Sequence, residues 1–124
     1  MKVQEIAQLL EEARVLEGKE QFVESVQASY QVIRDVYESL LETKGIETKK
    51  IDKEDLSDKM KEEFKEYPNI IGAVSKVNDV IRKYDYDFKE PFTKTDAKSM
   101  VMYSYYMMYE YGEYIKSKVG EVDG

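Results

Sequence analysis

Residues 100–115 read MVMYSYYMMYEYGEYI, packing six tyrosines and four methionines into about four helical turns. At about 100° per residue the stretch carries two apolar stripes. The first is Ala97, Val101, Ser104, Met108, Tyr111 and Ile115, flanked by Met100 and Met107. The second, on the opposite side, is Met102, Tyr105, Tyr106 and Tyr109, spaced i, i+3, i+4, i+7. A surface helix of a monomer needs one such stripe. Two predict a helix with one face in its own core and the other in a partner, or a helix buried on both sides.

The rest of the chain supplies more helices for it to pack on. In residues 3–17, Val3, Ile6, Leu9, Leu10, Ala13 and Leu16 follow a 3.6-residue period, and Gly18 reads as the stop. A long helix follows from about residue 19 or 20 to residue 44, on a stripe of Phe22, Val26, Ser29, Tyr30, Ile33, Tyr37, Leu40 and Leu41, ended by Gly45. A second strip on this helix, Ser25, Ala28, Val32 and Ser39, is small enough to admit a close neighbour. Residues 46–52 form a charged connection. A short helix is expected over 56–67, capped by Asp55 or Ser57 and anchored by Met60 and Phe64. Pro68 separates it from a helix over 69–83, whose inner face is Ile70, Val74, Val77 and Ile81. Pro91 keeps the next segment irregular. The last helix is expected over 94–119, with Thr93 and Asp96 as a capping box at its start. Short connections between amphipathic helices favour an all-α, up-down four- or five-helix bundle. It would form one domain over 1–120, with residues 121–124 as a frayed tail.

Composition bounds the chemistry. A chain of 124 residues is one domain by length, and 42% hydrophobic with 36% charged residues makes it globular. The net charge of −7 argues against broad binding to a phosphate backbone, which needs a basic face. The one short basic cluster, Lys44, Lys49, Lys50 and Lys53, reads as solvated loop charge. The chain has no cysteine and no histidine. It therefore carries no thiolate or imidazole for nucleophilic catalysis, general-base work or metal ligation. Its many glutamates lack the Glu-x-x-His spacing of a carboxylate-bridged metal bundle. No cofactor or metal is expected. No apolar run approaches the roughly 20 residues that span a bilayer. The N-terminal MKVQEIAQLLEEA places carboxylates where a signal peptide would be apolar. The expected location is the cytoplasm.

Three segments together resemble the HEPN domain family. EEARVLEGKEQFVESVQASYQVI (11–33) is similar to that family's alanine-containing helix, glycine break and long helix with a central aromatic. ESLLETKGIETKK (38–50) is similar to its LL-x-x-KGI exit from the long helix. IRKYDYDFKEPFTKTDAKSM (81–100) is similar to its Arg, Asp-Tyr pair, polar loop and acidic start of a final helix. The resemblance implies a helical bundle that pairs as a homodimer. Active members are metal-independent ribonucleases or toxins with an Arg and a His separated by four to six residues. Other members bind nucleotides or accompany small nucleotidyltransferases. Here the Arg matches Arg82, and the His window holds Asp87, Phe88 and Lys89. An aspartate with an ordinary pKa near 4 is a poor proton shuttle at neutral pH, and it places negative charge where a phosphodiester would sit. The resemblance thus implies the fold and the dimer, and speaks against the nuclease.

Two candidate sites follow. Arg82, Asp85, Tyr86 and Asp87 form a candidate degenerate nucleotide or RNA pocket. The plainer reading is Arg82 and Lys83 at the negative end of a helix dipole, with Asp85 or Asp87 paired to Arg82. Met102, Tyr105, Tyr106 and Tyr109 form either an aromatic platform for bases or, with no basic residues interleaved, a subunit interface rimmed by Glu110 and Glu113. The expected function is a non-catalytic, homodimeric binding or accessory subunit beside a nucleotidyltransferase-type partner. The alternatives are a nucleotide- or RNA-binding protein with residual activity, and a helical small subunit of a larger assembly unrelated to HEPN proteins.

Overall fold

A computed structural model describes residues 3–84 and 92–123, with side chains described up to Val119. Five helices account for nearly all of it: α1 (Val3–Gly18), α2 (Phe22–Glu42), α3 (Lys53–Glu63), α4 (Pro68–Arg82) and α5 (Lys94–Asp123). No strand occurs among the described residues.

The long apolar stripe puts α2 at the centre. Val26, Val32, Ile33, Val36, Leu40 and Leu41 are fully buried on it. Of its small strip, Ser25, Val32 and Ser39 are buried and Ala28 is half-buried, and the reason is close helix approach. Ser25 Oγ donates to the Ala13 carbonyl of α1 at 2.8 Å. On its other side, the Ser104 hydroxyl of α5 lies 3.0 Å from the Ser29 carbonyl. Small hydroxyl residues let both neighbours come near, with the Ser25 and Ser104 hydroxyls bonded to carbonyls while that of Ser29 is buried without a partner.

The helix directions depart from a simple up-down order. Lys53, at the start of α3, meets Tyr30 through its carbonyl, whereas Lys44 reaches the Glu63 carbonyl at the other end. The 46–52 connection therefore runs back along α2, and α3 repeats the direction of α2. Likewise Ser104 faces Ser29 while Tyr114 faces Thr43, so α5 also runs with α2. Only α1 and α4 run against it. The seven-residue connection makes room for this return, and it carries a turn in which the Ile51 amide donates to the Thr48 carbonyl at 3.1 Å.

Helix ends shift in ways that local chemistry explains. Gly18 is the last residue of α1, not its left-handed stop. That conformation falls to Glu20, at φ 63°. The Gln21 amide bonds the Leu16 carbonyl and the Glu20 amide bonds that of Glu17, which is a Schellman motif. The end of α2 repeats the pattern with glycine in its expected place: Gly45 has φ 76°, and Ile46 and Gly45 bond the Leu41 and Glu42 carbonyls. α3 starts at Lys53, before both expected caps, with Asp52 at its N-cap position. Asp55 lies in its first turn and Ser57 is buried inside it. Pro68 opens α4 instead of standing outside it, where its fixed φ and missing N–H cost nothing. α5 continues through Gly120 to Asp123, beyond the expected end at residue 119.

Candidate functional site

The structure divides α5 into two faces. Ala97, Met100, Ser104 and Met107 are buried without exposed surface, Val101 nearly so, and the line continues to Tyr114. Met108, Tyr111 and Ile115, expected in this stripe, are half-buried along its edge. The buried centre thus follows 100, 107 and 114, a seven-residue spacing, and Tyr114 is a core residue that the two-stripe reading passes over. Its ring meets Phe64 and Tyr67 edge-on at 5.4 and 5.3 Å. Its hydroxyl lies 3.4 Å from that of Thr43. Lys44 caps the cluster with its ammonium 4.7 Å from the Phe64 ring centre, so this member of the basic cluster is engaged in packing.

The second stripe faces outward. Met102 is 59% exposed, Tyr105 45%, Tyr106 40% and Tyr109 62%. Among the described residues the other exposed large apolar side chains are Val3, Val15 and Val119, so this is where exposed apolar surface gathers. A groove of about 300 Å³ borders the patch on the α4 side, lined by Pro68, Asn69, Gly72, Lys76, Met102 and Tyr106, among others. On the α1 side Arg14, held by the Glu11 carboxylate one turn away, lies beside Tyr105. Glu110 reaches Tyr106: burial pushes the phenol's pKa up, and the carboxylate's charge and hydrogen bond push it the same way. Tyr106 therefore stays a neutral donor. Glu113 is exposed further along and pairs with Lys116 at 3.7 Å. Glu110 thus lies against the stripe, and Glu113 stands one turn beyond Tyr109.

At the start of α5 the Thr93–Asp96 capping box is fully formed. The Asp96 amide donates to Thr93 Oγ1 and the Thr93 amide to Asp96 Oδ2, both at 3.1 Å. The same carboxylate accepts the Tyr84 hydroxyl and stands 3.6 Å from Lys83 Nζ. Burial alone would raise the Asp96 pKa. The bonds from Tyr84 and Thr93, with the Lys83 charge, outweigh it and hold the carboxyl below its ordinary value. The Tyr84 and Phe92 rings, 4.3 Å apart, complete a clasp that ties the end of α4 to the start of α5.

Of the candidate pocket, only Arg82 is described. It is exposed at the last turn of α4 and makes no ion pair with another described residue. Asp85, Tyr86 and Asp87 lie outside the described residues, as do Phe88 and Lys89 of the histidine window. The structure thus brings Met102, Tyr105, Tyr106 and Tyr109 together as a surface. It adds two features that the sequence reading missed, the α4 groove and the Asp96 clasp. No group of three or more carboxylates among the described residues is arranged to hold a metal ion. No described helix is long and apolar enough to cross a membrane. No protein-family model, curated protein or solved structure matches the chain.

Proposed function

We propose that the protein acts by association: it is a non-catalytic, HEPN-like helical bundle that pairs as a homodimer through α5 and serves as a binding or accessory subunit. The observation that carries this reading is the outward stripe of Met102, Tyr105, Tyr106 and Tyr109, which no helix among the described residues covers. Tyrosine and methionine are the residue types that interface cores favour, because they offer large contact area while the phenol stays wet at the rim. The acidic net charge and the absence of lysine or arginine within the stripe disfavour a nucleic-acid platform. The HEPN resemblance supports the pairing and points to a small nucleotidyltransferase-type protein as the heterologous partner.

Light scattering at tens of micromolar is expected to give twice the monomer mass of 14.6 kDa. The Tyr105→Glu, Tyr109→Glu variant is expected to give a monomer with unchanged helicity. A monomeric wild type would overturn the reading. Loss of helicity in the variant would place the stripe in the core instead.

A further inference from the structure

The stripe has a symmetry that selects its occupant. Its spacing, i, i+3, i+4, i+7, reads the same in both directions, so a point between Tyr105 and Tyr106 divides it evenly. A two-fold axis there, perpendicular to the helix, lays the stripe on itself: Met102 meets Tyr109 of a second copy, and Tyr105 meets Tyr106. One turn further out on the same exposed face stand Lys98 at one end and Glu113 at the other. The same axis brings each Lys98 to the Glu113 of the partner. The charges therefore complement only in some arrangements. A parallel pair would set Lys98 against Lys98 and Glu113 against Glu113. An antiparallel pair centred between Tyr105 and Tyr109 would set Lys98 against Lys116. Moved the other way, to a centre between Met102 and Tyr105, it would lay Tyr109 on Lys98 and uncover the patch.

We infer that the outer face of α5 is occupied by the α5 of a second copy of this chain, antiparallel, with the two-fold axis between Tyr105 and Tyr106 and a Lys98–Glu113 pair at each end. The inference rests on the homodimer reading above and specifies its geometry. The area is sufficient. Four side chains, each about half exposed, contribute roughly 400 Å² per protomer, given 150–250 Å² for a large side chain. Two copies give roughly 800 Å², and the flanking Lys98, Glu113 and α4 rim carry it to the roughly 1,000 Å² of a specific interface. Lys98 makes no ion pair with another described residue, whereas Glu113 already has Lys116 on its own helix.

The test is a charge swap read as the dimer dissociation constant, by light scattering or sedimentation across concentrations at low salt. Lys98→Glu alone and Glu113→Lys alone each turn two attractions into two repulsions, and each should weaken the dimer about tenfold. The double variant Lys98→Glu, Glu113→Lys should return it to within a few-fold of wild type. Raising salt should shrink all three differences. Both positions are exposed, and a glutamate near the start of α5 favours the helix dipole, so a weaker dimer is not a folding defect. A wild-type dimer whose double variant is no better than the singles overturns this arrangement and leaves the dimer reading standing. Tightening by Lys98→Glu alone overturns it in favour of the register that faces Lys116. A monomeric wild type overturns both.

Discussion

Asp96 does three jobs with one carboxylate: it closes the first turn of α5, accepts the Tyr84 hydroxyl and faces the Lys83 ammonium. Such a group ties folding to pH. Its pKa is lowered in the folded state, so its contribution is fully present above the unfolded value of about 3.9 and is lost as pH falls through the folded one. Asp96→Asn keeps the shape and one acceptor but loses the charge. It is expected to cost about 1–2 kcal/mol at pH 7, with the difference from wild type shrinking as pH falls through the folded-state value, as measured by urea midpoints across pH. The Thr93–Asp96 box is readable from sequence because its spacing is local. The Tyr84 and Lys83 contacts are not, because nine residues stand between the end of α4 and Phe92. Tyr114 illustrates the same limit. A tyrosine is as much at home on a surface as in a core, and only the packing of Phe64 and Tyr67 decides which.

At the level of elements, α1 and α2 end in the same hydrogen-bond pattern with different residues at the left-handed position. Gly45 suits it, and Glu20 does not, since a Cβ there crowds its own backbone. The two sites make opposite predictions. Glu20→Gly is expected to raise stability by about 1 kcal/mol, and Gly45→Ala to lower it by about the same amount, both read from thermal or urea unfolding. Glycine usually marks a helix stop, yet at Gly18 the chain runs two residues further before Glu20 takes the left-handed position. α3 shows the reverse problem. Its first turn, Lys53 to Asp55, is wholly charged, so apolar periodicity has nothing to register until Leu56. Helix identity is legible throughout, because each buried face repeats at helical spacing. Ends depend on backbone bonds that composition does not display.

For the whole molecule, the all-helical architecture follows from those faces, but the direction of α3 does not. A charged connection of this length can either turn or return, and only the Tyr30–Lys53 and Lys44–Glu63 contacts choose between them. The outward stripe is legible for a simple reason: apolar residues opposite a core-facing stripe have nowhere to hide. If that stripe is covered by a second copy, subunit association and folding share one equilibrium. The melting temperature is then expected to rise with protein concentration over the micromolar range, and to stop doing so in the Tyr105→Glu, Tyr109→Glu variant. The common direction of α2, α3 and α5 has an electrical consequence. Peptide dipoles in the two longest helices add instead of cancelling, so one protomer is a polarised rod, positive where α5 begins and negative beyond Tyr114. Two such rods side by side and head to tail would attract, and the pair would have almost no moment along the helices.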